Sequence, residues 1–145
     1  MTEIPILLPE NFGEGEIVTP FEVLAKQAAA FSQKTKGILT AEVKHQIYLY
    51  ADMIEDKDNN NVFYDDFYII APSLEGYRYS LLRIGQDNTT YPAQIWDYPR
   101  GFKKEVTNST ELFAELTNIF NSDETRQIIQ SLINQSRINP NKLPF

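Results

Sequence analysis

The feature that most constrains this chain is a change of hydrophobic period at Gly37. Before it, the segment "TPFEVLAKQAAAFSQKTKG" repeats apolar residues at helical spacing, namely Phe21, Leu24, Ala28 and Phe31. After it, "ILTAEVKHQIYLYADMI" alternates apolar and polar residues with a period of two. The switch therefore predicts one amphipathic helix, followed by a long strand with one buried face and one wetter face.

Three further segments, "VFYDDFYIIAP", "YRYSLLRI" and "YPAQIWDY", are rich in aromatic and β-branched residues. They are separated by the short turn segments "SLEG" and "GQDNTT", which favour hairpins between consecutive strands. The sequence thus predicts a four-stranded antiparallel meander. Pro92, near the start of the last strand, suits an edge position, and "PRGFKKEVTNST" is predicted as a longer connection.

Helical spacing returns after this connection in "STELFAELTNIF", and Ser122 can cap a final helix. The predicted fold class is α+β: a single domain over residues 19–145, with two C-terminal helices packed on one sheet face. Residues 1–18 are rich in Pro and Glu and lack periodicity. We predict that they form an extended acidic N-terminal arm.

The composition excludes several classes of function. The chain of 145 residues has no cysteine, which excludes disulfides and thiolate chemistry. Its net charge of −7 disfavours contact with nucleic-acid phosphates. There is no secretory signal pattern and no apolar run of the ~20 residues that span a bilayer, so we predict a cytoplasmic protein with no membrane or nucleic-acid partner.

The acidic stretch "EDKDNNNVFYDDF" raises the possibility of a calcium loop, because oxygen ligands at alternating positions can surround one cation. However, Asn61 stands where an EF-hand has glycine, and Phe67 stands where it has the closing glutamate. The favoured interpretation is a polar hairpin loop, and no cofactor is predicted. The weak candidates for a divalent-metal site are Asp56, Asp58, Asn60, Asp65 and Asp66.

His45 is the only histidine, and it falls between Val43 and Ile47 on the apolar side of the long strand. A histidine that acts as a general base needs a nearby nucleophile or carboxylate. The local sequence supplies neither on that side, which disfavours histidine-dependent catalysis. The sequence as a whole leans against an enzyme.

All eight tyrosines lie between Tyr48 and Tyr98, together with the single tryptophan. Tyrosine combines an apolar ring with a polar tip and is common at interfaces. The leading hypothesis is a non-catalytic protein–protein interaction module, of inhibitor, immunity or adaptor type, that binds a protein partner or forms a homodimer. The predicted interaction residues are Tyr48, Tyr50, Tyr64, Tyr68 and Trp96, with Asp56 and Asp58 as an acidic rim.

Two alternatives remain open at this stage. The first is a protein that binds a small ligand or a divalent metal through the 55–66 acidic hairpin. The second is an enzyme whose site is assembled from residues that are far apart in the sequence. A pocket that gathers carboxylates, or that places His45 beside one, would favour these alternatives.

Overall fold

The fold is a helix, then a five-stranded sheet, then two helices. A computed structural model describes residues 3–13, 18–48 and 61–138. The elements are α1 (Pro20–Lys34), β1 (Thr40–Ile47), β2 (Phe63–Ala71), β3 (Tyr77–Gln86), β4 (Ala93–Asp97), β5 (Phe102–Val106), α2 (Ser109–Phe120) and α3 (Asp123–Ser136). Each strand pairs antiparallel with the next, in the order β1-β2-β3-β4-β5. This confirms the predicted single α+β domain built on an antiparallel meander.

Helix α1 begins and ends where its sequence indicates. The Thr19 side chain accepts a hydrogen bond from the Glu22 backbone N–H at 3.3 Å and donates one to its carboxylate at 3.0 Å. Pro20 occupies the first helical position, where its missing N–H costs nothing. At the other end, the Thr35 hydroxyl bonds to the Leu39 carbonyl at 2.7 Å and so joins the helix to the first strand.

Cross-strand register assigns the paired strand residues to one of two faces, and only Leu81, at a bulge opposite Phe67 and Tyr68, is left without a paired position in β2. Directly opposed residues share a face, so Val43, Phe67, Leu82 and Asp97 lie together on the side that the helices cover. We call this side the core face. Its buried apolar residues, with those of the helices, form one cluster around Leu24, Phe67, Ile84, Ile95 and Leu112. The opposite side, named the aromatic face here, carries Tyr64, Tyr68 and Trp96.

The predicted number of strands is wrong by one. Residues predicted as a connection form β5, which pairs with β4 through partners such as Trp96 and Lys103. Strand β4 is therefore internal, and Pro92 does not mark an edge. The sequence of β5, "FKKEV", has three consecutive charged residues and no period-two alternation, because only Val106 of this strand is buried.

The long first strand is described only to Ile47, and residues 49–60 lie outside the described part of the chain. Its predicted buried side is buried at Leu39 and partly buried at Val43, but His45 and Ile47 are exposed. The first turn of α1 overlies His45 through Phe21, whose ring centroid is 5.9 Å away. Helix α1 begins beside His45, so it does not cover Ile47.

The segment 3–13 contains neither helix nor strand, and its apolar side chains are exposed. Among the residues that the structure describes, no helix is long and apolar enough to cross a membrane.

Candidate functional site

The aromatic face brings together four of the five aromatic residues that were predicted to interact. The ring centroids of Tyr48 and Tyr64 are 5.0 Å apart, and those of Tyr64 and Trp96 are 6.0 Å apart. Tyr68 lies four residues beyond Tyr64 along β2, on the same face. Tyr50 lies outside the described residues. Tyr48, Tyr64 and Trp96 therefore form a connected ring cluster. Within it the Tyr64 side chain is buried, whereas Tyr48, Trp96 and the nearby Tyr68 are partly exposed.

Three cationic side chains lie over these rings. The Arg83 guanidinium is 4.9 Å from the Tyr64 centroid, and the Arg78 guanidinium is 4.6 Å from that of Tyr68. The Lys103 ammonium is 5.5 Å from the Trp96 ring. Such contacts are attractive because the negative face of the ring meets a positive charge. They also hold long, flexible side chains flat against the sheet.

The Asp66 carboxylate fixes the position of Arg83 on the aromatic face. It is 1% exposed and accepts two hydrogen bonds from Arg83, at 2.6 Å from Nε and 3.2 Å from Nη2. Gln46 donates a third at 2.7 Å. Burial alone would lower the pKa of Arg83, but the hydrogen bonds and charge of Asp66 outweigh it and raise that pKa. Arg83 is thus held in one orientation, with its charged form stabilised.

Gly85 provides the space in which two of these side chains pack. A Cβ at this position would lie 2.7 Å from Asn61 Nδ2 and 3.0 Å from Trp96 Cζ3, closer than packed atoms approach. Asn61 is itself buried and donates to the Gln94 side chain at 3.0 Å. The absence of a side chain at Gly85 therefore lets Trp96 and Asn61 lie against the backbone of β3.

The aromatic face differs in charge from the rest of the chain. Register places four basic and three acidic strand residues on it, namely Lys44, Arg78, Arg83, Lys103, Glu42, Asp66 and Glu105. Its formal charge is +1, whereas the whole chain carries −7. Among the described strand residues, the face thus lacks the negative excess that would repel other acidic surfaces.

A second site lies on the core face, at the first turn of α1. His45 Nδ1 is 2.6 Å from Asp65 Oδ1, and Gln86 Nε2 donates to Asp65 Oδ2 at 3.2 Å. Asp65 is fully buried, while the His45 side chain is 44% exposed. The His45 ring stacks 6.2 Å from that of Phe63, and Phe21 meets it edge-on. A pocket of about 290 Å³, which Thr19 also lines, adjoins these groups.

The hydrogen bonds of Asp65 fix how His45 can act. An ionised carboxylate only accepts, so the Nδ1–H of His45 donates to Asp65, and in that tautomer of the neutral ring Nε2 has the free lone pair. Burial raises the pKa of Asp65, and the hydrogen bond from His45 partly opposes that rise. This is the arrangement in which a carboxylate orients a histidine as a general base.

The pair was not predicted, because the residues close to His45 in the sequence include no carboxylate on its side of the strand. Asp65 is twenty residues away and directly opposite His45 in the β1–β2 hairpin. The hairpin register would predict the pair, because each residue of β1 faces the residue of β2 whose number brings the sum to 110. That register depends on the turn, which was predicted only as a polar loop of unspecified type.

The structure separates the candidate metal ligands. Asp65 lies on the core face beside His45, while Asp66 lies on the aromatic face beside Arg83. Asp56, Asp58 and Asn60 lie outside the described residues. Within the described ranges, no group of three or more His, Cys, Asp or Glu side chains is arranged to hold a metal ion.

The three basic residues of the segment "PRGFKKEVTNST", Arg100, Lys103 and Lys104, are engaged by acidic residues or by an aromatic ring. Arg100 pairs with Asp97 at 2.6 Å, and Lys104 pairs with the buried Glu115 of α2 at 3.0 Å. Lys103 lies over Trp96 on the opposite face. These residues hold β5 in place and do not together form a site for an anion.

Comparison with known proteins adds no assignment to this geometry. No protein-family model matches the chain, and neither a curated protein nor a solved structure is detectably similar to it.

Proposed function

We propose that this protein is a non-catalytic interaction module that binds a different protein through its aromatic face. The observation that carries the proposal is the ring cluster of Tyr48, Tyr64 and Trp96, in which the buried Tyr64 ring supports the half-buried Tyr48 and Trp96. Cationic side chains overlie Tyr64 and Trp96. Tyr, Trp and Arg are the residues that most often dominate binding energy in protein interfaces. Here Asp66 already holds Arg83 over the Tyr64 ring, so binding would cost little further ordering of that side chain.

The chemistry of the face favours a partner rich in hydrogen-bond acceptors. Arg78, Lys44 and Lys103 offer only donors, and Arg78 is tied to Glu42 by a salt bridge that is exposed on both sides. Exposed ion pairs contribute little, so Arg78 can exchange Glu42 for a carboxylate of the partner. The proposed partner therefore presents carboxylates among apolar side chains, and the +1 charge of the face does not oppose its approach.

The test uses Trp96, which is the only tryptophan and lies in the proposed interface. Proteins captured from the source cells by the wild type are compared with those captured by Tyr68→Ala and Trp96→Ala. Tyr77→Ala is the matched control, because Tyr77 is 51% exposed and lies on the other face of the sheet. Support requires one acidic protein that the wild type and Tyr77→Ala retain and that both face variants lose.

The captured protein must then change the fluorescence of Trp96 on titration, since the ring becomes desolvated in the complex. A captured protein that binds all four chains equally, or that leaves the emission of Trp96 unchanged, would show that the aromatic face is not the interface. A basic partner that binds by this face would also contradict the proposed acceptor-rich surface.

A second candidate function is favoured by the His45–Asp65 pair, which is a general-base site for ester hydrolysis. His45 Nε2 would take a proton from water as the water oxygen adds to the carbonyl carbon, and would return it to the departing alcohol. Phe21 and Phe63 supply apolar walls for a small acyl group. Asp65 would act as a positioning residue that holds the imidazole in the required tautomer.

The second candidate is tested with p-nitrophenyl acetate against the same concentration of free imidazole. General-base catalysis predicts a rate about 10²-fold or more above imidazole, loss of that excess in His45→Gln, and an altered pH–rate profile in Asp65→Asn. A rate equal to that of imidazole would leave His45 and Asp65 as a structural pair.

A further inference from the structure

Residues 3–13 of the N-terminal arm carry the most exposed large apolar side chains of the described chain. Five large apolar side chains within nine positions are between 68% and 88% exposed, namely Ile4, Ile6, Leu7, Leu8 and Phe12. Isolated exposed apolar residues are common on protein surfaces, but a continuous run of this kind marks a contact site.

An apolar groove lies beside the point where this arm meets the domain. It separates α1 from α2, with Val23 on one wall and Phe113 and Leu116 on the other, and its volume is about 490 Å³. A second section of about 400 Å³ follows, bounded by Phe31 and Ile129. Both sections share Gln27, Thr117 and Phe120, so the groove is continuous along α1.

The groove reaches the core face of the sheet. Its floor includes Phe67, which is fully buried and packs edge-on against Phe120 at 5.2 Å. The helices thus leave a gap above Phe67. An apolar segment that entered this gap would lose much of its contact with water.

The groove is long enough to hold the segment from Ile4 to Leu8. Along α1, the groove extends from Glu22 to Lys34, which is ~18 Å at the helical rise. Ile4 to Leu8 in extended conformation span ~13 Å. Pro5 and Pro9 favour the extended backbone and reduce the entropy lost on docking.

The charges also match. Lys26 and Lys34 of α1 line the two sections of the groove. The arm carries Glu3 and Glu10 and no basic residue. An arm seated in the groove would therefore bring carboxylates towards ammonium groups, with one like charge, Glu22, at the groove entrance.

We propose that the N-terminal arm of one molecule occupies the α1–α2 groove of a second copy, and that the two copies exchange arms reciprocally. Within one chain the arm is exposed, so its own groove does not accept it in this structure. Reciprocal exchange buries the arm and fills the groove of each molecule, and it produces a closed two-fold dimer. It uses neither the aromatic face nor the His45 pocket.

The test is the oligomeric state of the full chain, measured by sedimentation velocity from micromolar to millimolar concentration. The wild type is expected to form a dimer. The arm variant Leu7→Asp/Leu8→Asp and the groove variant Phe113→Glu are each expected to be monomers. Phe113 is 47% exposed, so its replacement should not unfold the domain. Ile138→Asp is the matched control, because Ile138 is 56% exposed and does not line the groove, and it should remain a dimer.

A mixing experiment separates arm exchange from other interfaces. The arm variant retains an intact groove, and the groove variant retains an intact arm, so an equimolar mixture should form a heterodimer with one seated arm. A wild type that is monomeric at every concentration would overturn the proposal, and so would a dimer that persists in both variants. Trp96→Ala should still dimerise, so loss of the aromatic interface and loss of arm exchange are distinguishable.

Discussion

Asp65 and Asp66 are adjacent in the sequence, but they lie on opposite faces of the sheet and hold different cationic or polar partners. Asp65 contacts His45 at 2.6 Å on the core face, and Asp66 contacts Arg83 at 2.6 Å on the aromatic face. Each is at most 1% exposed. The alternation of side chains along β2 thus builds the two candidate sites back to back, and a change at one carboxylate should leave the other site intact.

Replacing Asp66 tests the anchor of the aromatic face. Asp66→Ala leaves the Arg83 guanidinium, which is 19% exposed, without its carboxylate and frees the Gln46 amide. We expect a loss of about 3 kcal/mol in the free energy of unfolding, measured by urea denaturation, because an uncompensated cation remains in a mostly buried position. Glu42→Ala is the control, since its salt bridge with Arg78 is exposed and should contribute less than ~1 kcal/mol. Equal losses would contradict the anchoring role.

Replacing Asp65 tests the effect of its raised pKa on stability. The folded state binds the Asp65 proton more readily than the unfolded chain, whose pKa is near the ordinary value of 3.8. The stability from this group is therefore present below pH 3.8 and is lost as the pH rises through the higher folded pKa. Asp65→Asn removes this dependence.

The measurement is urea denaturation of the wild type and Asp65→Asn at several pH values from 3 upwards. The free energy of unfolding of the variant minus that of the wild type should increase with pH just above 3.8. A difference that decreases over this range would show that the hydrogen bonds from His45 and Gln86 outweigh burial.

Gly85→Ala tests whether close packing shapes the aromatic face. The new methyl group would meet Asn61 Nδ2 at 2.7 Å and Trp96 Cζ3 at 3.0 Å, so the Asn61–Gln94 hydrogen bond or the indole must shift. We expect a loss of about 1–3 kcal/mol in stability and a shift in the emission of Trp96. Ser80→Ala, on the same strand and face, is the control and should leave the emission unchanged.

The hydrophobic period of the sequence was sufficient to predict most of the fold. The change at Gly37, the polar hairpin loop and the two short turns predicted α1 and the antiparallel meander, because helix and strand periods bury different sets of residues. β5 was missed because it is an edge strand whose exposed residues carry no alternation. Charged edge strands resist further pairing, and the same property hides them from hydrophobic pattern analysis.

The sites were less predictable than the fold. The clustering of tyrosines and Trp96 indicated a shared surface, and the register places Tyr64, Tyr68 and Trp96 on one face. The partners of Asp65 and Asp66 come from other strands, seventeen to twenty-one residues away in the sequence. Such contacts depend on register, which a single sequence fixes only where turn length and type are known.

Glu115 provides a test of how the unpredicted strand is held. It lies on α2 and is 3% exposed, yet it contacts two cations that lie at or next to β5: Lys104 at 3.0 Å and Arg100 at 3.7 Å. Both cations are partly exposed, so water can solvate them when the carboxylate is removed. We therefore expect Glu115→Ala to lower the free energy of unfolding by about 1–2 kcal/mol, less than Asp66→Ala. Glu115→Gln should lose less, because its amide oxygen still accepts a hydrogen bond from Lys104.

Hydrogen exchange locates the effect within the molecule. If Glu115 fastens β5 to α2, amide protection in Glu115→Ala should decrease first in Phe102–Val106, whereas β1 and β2 keep theirs. Glu105→Ala removes an exposed carboxylate from the same strand and should leave the exchange unchanged. A uniform loss of protection across the sheet would contradict this role, because it would mean that Glu115 contributes to global stability without specifically holding the edge strand.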